Sequence, residues 1–311
     1  MRPFAHIPTI GTPRVATGVP HFLGEGPTWD PVRGELLWVD IMAGDVYRGR
    51  FAYGGGIQIE ERIAFPDTAG AVAISRAGEM VVAGTHRLYF RAVDGTVTAG
   101  PEVIGGDERR FNDGKPDPAG RFVVGTKGPT SEEQLVRFET DSRVTVLDDD
   151  LSLSNGLAWT RDGRLLYSVD TLTRRIFVRD YDPESGKAGA RRLFSELPGD
   201  GYPDGITTDA DDHLWVAVWG GGCVVRYSPA GEPVGRIDVP APHVSCVTFA
   251  GPDLDTLVIT TATENLTDEQ LVQYPLAGLL FTIRPGVRGN HPHLWAGAAS
   301  RLAPTSLEGT E

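Results

Sequence analysis

An all-β chain folded as a six-bladed propeller, with four antiparallel strands per blade, follows from three observations on this sequence. Short β-branched and aromatic runs recur along its whole length. A hairpin turn returns at constant phase near Asp30, Ser75, Asp117, Arg161, Asp209 and Gly251, at spacings of 45, 42, 44, 48 and 42 residues. Long helical periodicity is nearly absent. A β-sandwich has no reason to repeat at this period, whereas propeller blades do.

The elements follow in order. The hairpins are written in PTWDPVRGELLWVD, VAISRAGEMVVAG, PDPAGRFVVGT, LAWTRDGRLLYSVD, ITTDADDHLWVAV and VTFAGPDLDTLVIT, each an apolar run, a turn and a second apolar run. Third strands come from DVYRGRF, RLYFRAV, QLVRFET, RRIFVRDYD, CVVRYSP and GLLFTIR. The segment TDEQLVQY (267–274) reads as one short helical turn. Gly and Pro number 39 and 23, spread throughout, which suits frequent turns better than one interdomain linker. Residues 1–311 therefore form a single propeller domain with an ordered core of about 12–302. Residues 1–10 and 303–311 are expected to be mobile. A ring needs closing, and Arg14–Pro20 is expected to pair with the last blade.

Composition narrows the function. The chain has 311 residues and a net charge of −13. That acidity argues against a nucleic-acid binder, which needs a basic stripe, and against adhesion to an anionic membrane. Two cysteines, Cys223 and Cys246, make no disulfide framework and read as free buried thiols. With no secretory leader pattern and no long apolar run, the expectation is a cytoplasmic monomer or weak dimer.

The chemistry sits about five residues before the turns, where each innermost strand begins. Those positions hold Glu25, Asn112 with Asp113, Asn155 and Asp204, with Gly70 and Cys246 in repeats two and six. Equivalent positions in a ring converge on its axis, so Glu25, Asn112, Asn155 and Asp204 should meet at one mouth of the channel. Converging carboxylates and amide oxygens call for a divalent cation, whereas the scarcity of Cys and His there argues against a structural tetrahedral zinc site. One divalent ion is expected, from among Ca, Zn, Mn, Mg and Fe. Asp30, Asp117, Asp162 and Asp209–Asp212 lie in the hairpins and read as solvated turn residues. Ser154 has no histidine at an inner position to activate it. Tyr202 beside Asp204 and His243 before the sixth inner strand are placed to touch substrate. His291 and His293 read as surface, and the tryptophans as packing between sheets.

GEGPTWD with LLWVDI, RRFNDGKPDPAGRFVVGT, LSLSNGLAW, YPDGIT and PGVRGNHP resemble the gluconolactonase family, also called the senescence marker protein 30 or regucalcin family, from about Gly24 to Gly297. The resemblance implies a six-bladed propeller with one divalent metal, held by Glu25, Asn155 and Asp204. It implies substrate contacts from Arg110 and Asn112, with Asp113 nearby. The implied activity is opening of sugar-acid lactones by metal-activated water. In it the metal polarises the carbonyl, Arg110 donates two hydrogen bonds, Asn112 holds a hydroxyl or the ring oxygen, and Asp204 doubles as catalytic base. A metal-dependent phosphotriesterase and a non-catalytic calcium-binding propeller are the rival classes. The run RFVVGTK lacks the aromatic often found there in the family, which is expected to alter one pocket wall. The segment GPTSEEQ (128–134) is a plain insertion.

Overall fold

The alternating apolar runs pair into six small antiparallel sheets arranged in a ring. The computed structural model describes residues 4, 7–141 and 143–297. The six innermost strands are Gly24–Asp30, Ala71–Ile74, Arg110–Pro116, Ser154–Trp159, Tyr202–Thr208 and Val244–Ala250. Each touches the next, and the sixth touches the first, so the ring closes around a channel. In blade three, for example, the chain steps outward through Phe122–Lys127, Glu133–Phe138 and Val144–Leu151.

Closure uses the N-terminal segment, as expected. Arg14–Val15 pairs antiparallel with Phe281–Ile283 and completes blade six. Further upstream, the described residues of the stretch 1–10, expected to be mobile, are held against the ring. Thr9–Gly11 adds in parallel to Pro233–Asp238 as a fifth strand of blade five. Phe4 and Ile7 bury their side chains in the cluster between blades four and five. The anticipated mobile tail 303–311 lies outside the described residues. The turn at 267–274 is a helix, Asp268–Gln273, started by a capping box between Thr267 and Gln270.

Six apolar clusters hold the ring, one at each blade interface. Trp29 and Trp38 fill the interface of blades six and one, Trp159 that of three and four, and Trp215 that of five and six. Trp219 is the exception. It is half-buried, its ring stacked on His243 at 4.2 Å and 7°. Cys223 and Cys246 are buried and not joined in a disulfide.

The hairpin aspartates correct an expectation. Asp30, Asp117 and Asp209 are fully buried rather than solvated. One oxygen of each accepts two N–H bonds from its own hairpin, and the other meets Arg33, Arg121 or Arg226. Tyr181 also donates to Asp117, and Trp215 Nε1 to Asp209. A fully partnered carboxylate can be buried at small cost, and here it pins the hairpin to the next strand. Asp162 is exposed, as a turn residue should be.

His293 is likewise not a surface residue. It is half-buried, edge-on to Trp159 at 6.1 Å, beside a cavity of about 620 Å³ at the hairpin end of the channel; His291 is exposed.

Candidate active site

The site end of the channel is built by a repeated defect in the sheets. Where the first strand enters each blade, its pairing with the second slips by one residue. The slips fall between Glu25 and Thr28, Phe111 and Gly114, Asn155 and Leu157, Pro203 and Ile206, and Val244 and Cys246. Blade two pairs without a slip. A β-bulge bends its strand and re-aims a side chain, and bulges concentrate beside active sites.

The glycines after the polar residues make room for neighbouring strands. A Cβ on Gly156 would stand 2.4 Å from the carbonyl oxygen of Asp204, and one on Gly205 would stand 2.2 Å from Cys246 Sγ. Here glycine lets neighbouring inner strands approach closely. Only Gly26 needs its freedom for a turn, at φ +51°.

Glu25, Asp113, Asn155 and Asp204 are all buried. Glu25, Asp113 and Asn155 share one local geometry, in which a side-chain oxygen accepts the N–H of the following glycine at 2.8, 2.8 and 3.2 Å. Asp113 Oδ2 and Asp204 Oδ1 are buried with no hydrogen-bond donor. Asn155 lies within hydrogen-bonding reach of the Asp204 carboxylate. Burial and the neighbouring Asp113 charge push the Glu25 carboxyl from 4.5 up to about 8. Burial, then the charges of Glu25 and Asp113, push Asp204 well above the carboxylate range. Lys115, whose Nζ donates to the carbonyl of Ile206 at 2.6 Å, relieves Glu25 and Asp113 only in part.

Among the described residues, no three His, Cys, Asp and Glu side chains draw together into a metal cage. A cation here must therefore take an amide oxygen as well as carboxylates. Buried carboxylate oxygens without donors, pressed against one another's charge, fit a hard divalent ion.

Asn112 has both amide atoms engaged. Its Oδ1 accepts from Arg110 Nη1 at 2.7 Å and its Nδ2 donates to the Ser154 carbonyl at 3.0 Å. Asp113 therefore stands with Glu25 and Asp204, and Asn112 with Arg110. Arg110 is also fixed by Nη1 donating to the carbonyl of Phe111 at 2.9 Å. On the far side, Tyr202 is half-buried under the guanidinium of Arg174. His243 donates from Nδ1 to the Glu264 carbonyl at 2.8 Å, and burial holds its pKa below the usual range. Val123 and Val124 of the RFVVGT run are fully buried in two different core clusters, so the missing aromatic leaves the pocket wall untouched.

Sequence reasoning missed Lys127, Glu264 and Trp219. Lys127 is half-buried and feels the charges of Arg110, Glu264, Asp204 and Glu25. Its signal was the register, because Arg110 and Lys127 are cross-strand partners.

The raised carboxyls carry a pH consequence. Between about pH 4.5 and 8 the folded protein keeps protons that the unfolded chain has released. The cation-free protein should then lose stability as pH rises, by up to about 1.4 kcal/mol per pH unit for each such group. Thermal melts of chelated protein from pH 5 to 8.5 check this. The midpoint should fall, and added calcium should raise it most at the alkaline end. A flat, calcium-insensitive profile would contradict the burial of these charges.

The inner strands of this six-bladed propeller thus carry buried carboxylates, an amide and a fixed arginine. The chain belongs to the SMP-30/gluconolactonase/LRE-like family, whose profile matches residues 23–263. It is 38% identical to a pentonolactonase of Haloferax volcanii over 77% of this chain and 81% of that one. It is 33% identical to a 6-deoxy-6-sulfogluconolactonase of Pseudomonas putida over 89% and 96%. Among solved structures it resembles a calcium-binding protein, regucalcin, of Agrobacterium tumefaciens, with TM-score 0.85 and 31% identity over 91% and 97% of the two chains. Among the described residues no helix is long and apolar enough to cross a membrane.

Proposed function

We propose that this protein hydrolyses sugar-acid lactones with the help of one divalent cation. The cation would be held by Glu25, Asn155 and Asp204. The observation that carries the reading is the pair of donor-less carboxylate oxygens, Asp113 Oδ2 and Asp204 Oδ1, buried beside a fixed arginine. The relatives named for a pentonolactone and a sulfonated hexonolactone share the cyclic ester, which supports the reaction class.

A divalent ion there supplies Lewis acidity to a carbonyl and lowers the pKa of water. The chain's own residues do the rest. Arg110, with Nη1 anchored on Phe111 and Asn112, presents its remaining donors to a substrate oxygen. Asn112 holds Arg110 in place and is positioned to meet a ring hydroxyl. Asp204 accepts the proton of the attacking water at Oδ1, the oxygen that has no donor from the protein. Tyr202, Trp219 and His243 form an aromatic rim that limits entry of solvent water.

A pH-stat assay over 1,4- and 1,5-lactones of pentonic and hexonic acids tests this reading. Acid release from at least one lactone, well above the spontaneous rate, is expected. No hydrolysis of any lactone with any divalent metal would overturn it, and turnover of a phosphotriester alone would move the protein to that class.

A further inference from the structure

Three cations at the channel mouth, Arg110, Lys115 and Lys127, form no salt bridge among the described residues, and of these Lys115 is engaged by the carbonyl of Ile206. Arg109, Arg121 and Arg137, from the first three strands of blade three or their approach, are paired to Glu133, Asp117 and Glu139. Arg110 and Lys127 have no such partner among the described residues. They face each other as cross-strand partners, Arg110 being 8% exposed and Lys127 half-buried. Like charges directly opposite on a sheet destabilise it, and burial adds to that cost. Burial and the Arg110 charge both hold the Lys127 pKa below its usual value. Glu264, Asp204 and Glu25 oppose this from a distance without forming a pair with either cation.

The local charge count points the same way. When fully ionised, as they would be beside a bound divalent cation, Glu25, Asp113, Asp204 and Glu264 contribute four negative charges, and Arg110, Lys115 and Lys127 three positive ones. A divalent cation turns that balance to a single net positive charge. One further anion completes it.

We propose that Arg110 and Lys127 form an anion subsite, and that the preferred substrate is a lactone bearing an anionic group on its exocyclic carbons. Lys127 is then the specificity-determining residue. This rests on the lactonase reading for the reaction, though not for the binding.

Two measurements test it. The first compares turnover of glucaro-1,4-lactone, which carries a free carboxylate, with that of the neutral glucono-1,4-lactone. The natural chain should favour the anionic lactone in kcat/KM. Lys127→Gln should raise KM for it by roughly 10- to 100-fold, the range of a lost charge-assisted hydrogen bond, and bring the two lactones near parity. Lys127→Arg should retain the preference. The second is calorimetry of the calcium-loaded protein with glucarate and gluconate, which needs no turnover. Glucarate should bind more tightly, and Lys127→Gln should erase the difference. Tight glucarate binding that depends on Lys127, without any lactone hydrolysis, keeps the subsite and removes the lactonase reading. Equal binding of the two acids by the natural chain, or equal losses in Lys127→Gln, overturns the subsite.

Discussion

Asp204→Asn should reduce lactone turnover by at least about a hundredfold while leaving the fold intact, the scale expected when a general base and charge-bearing ligand is removed. The carboxylate is buried, its Oδ1 has no donor, and Glu25 and Asp113 press on it electrostatically. Asparagine has nearly the same shape and no charge. The substitution should therefore abolish high-affinity calcium binding by calorimetry. It should also make the metal-free protein at pH 8 at least as stable as the parent, because a costly buried charge has gone. Loss of activity with greater apo stability is a combination that a merely structural aspartate would not give. Full activity in Asp204→Asn would sink the assignment of both its roles.

Gly156→Ala should be a strongly damaging single-methyl change at the site. The new Cβ would lie 2.4 Å from the Asp204 carbonyl oxygen and 2.9 Å from Val169 Cγ2, on backbone and on a buried side chain that cannot swing away. Overpacking of this kind costs about 1–3 kcal/mol. It also drives apart the two strands that carry Asn155 and Asp204, so turnover should fall together with the melting temperature. Gly18→Ala is the control, since a Cβ there meets nothing within 4 Å. Equal behaviour of the two variants in thermal melts and turnover would show that close strand approach does not set the site.

The hairpins and third strands were legible because their apolar runs face the inter-blade clusters, which fixes both composition and period. Outer strands were not. Val97–Glu102, Val144–Leu151 and Arg192–Glu196 are largely exposed and polar, with no apolar pattern to mark them. The parallel addition of Thr9–Gly11 was hidden for the same reason. The convergence of Glu25, Asn155 and Asp204 could be read from repeat phase alone. The split between Asn112 and Asp113 could not, because neighbouring residues in a bulge point to different places and only geometry says which. The buried hairpin aspartates were misread because their arginine partners lie up to 17 residues away, as with Asp209 and Arg226. Lys127 was visible only once the Arg110 register was known.

In the proposed reaction Glu25, Asn155 and Asp204 hold one divalent ion on which lactone opening depends. The most direct measurement follows lactone hydrolysis in the pH-stat with protein stripped by a chelator, then refilled with single metals while binding is read by calorimetry. The expected result is loss of activity on stripping and recovery at one equivalent of bound metal, with neither binding nor recovery in Asp204→Asn. Undiminished hydrolysis by the stripped protein would contradict it.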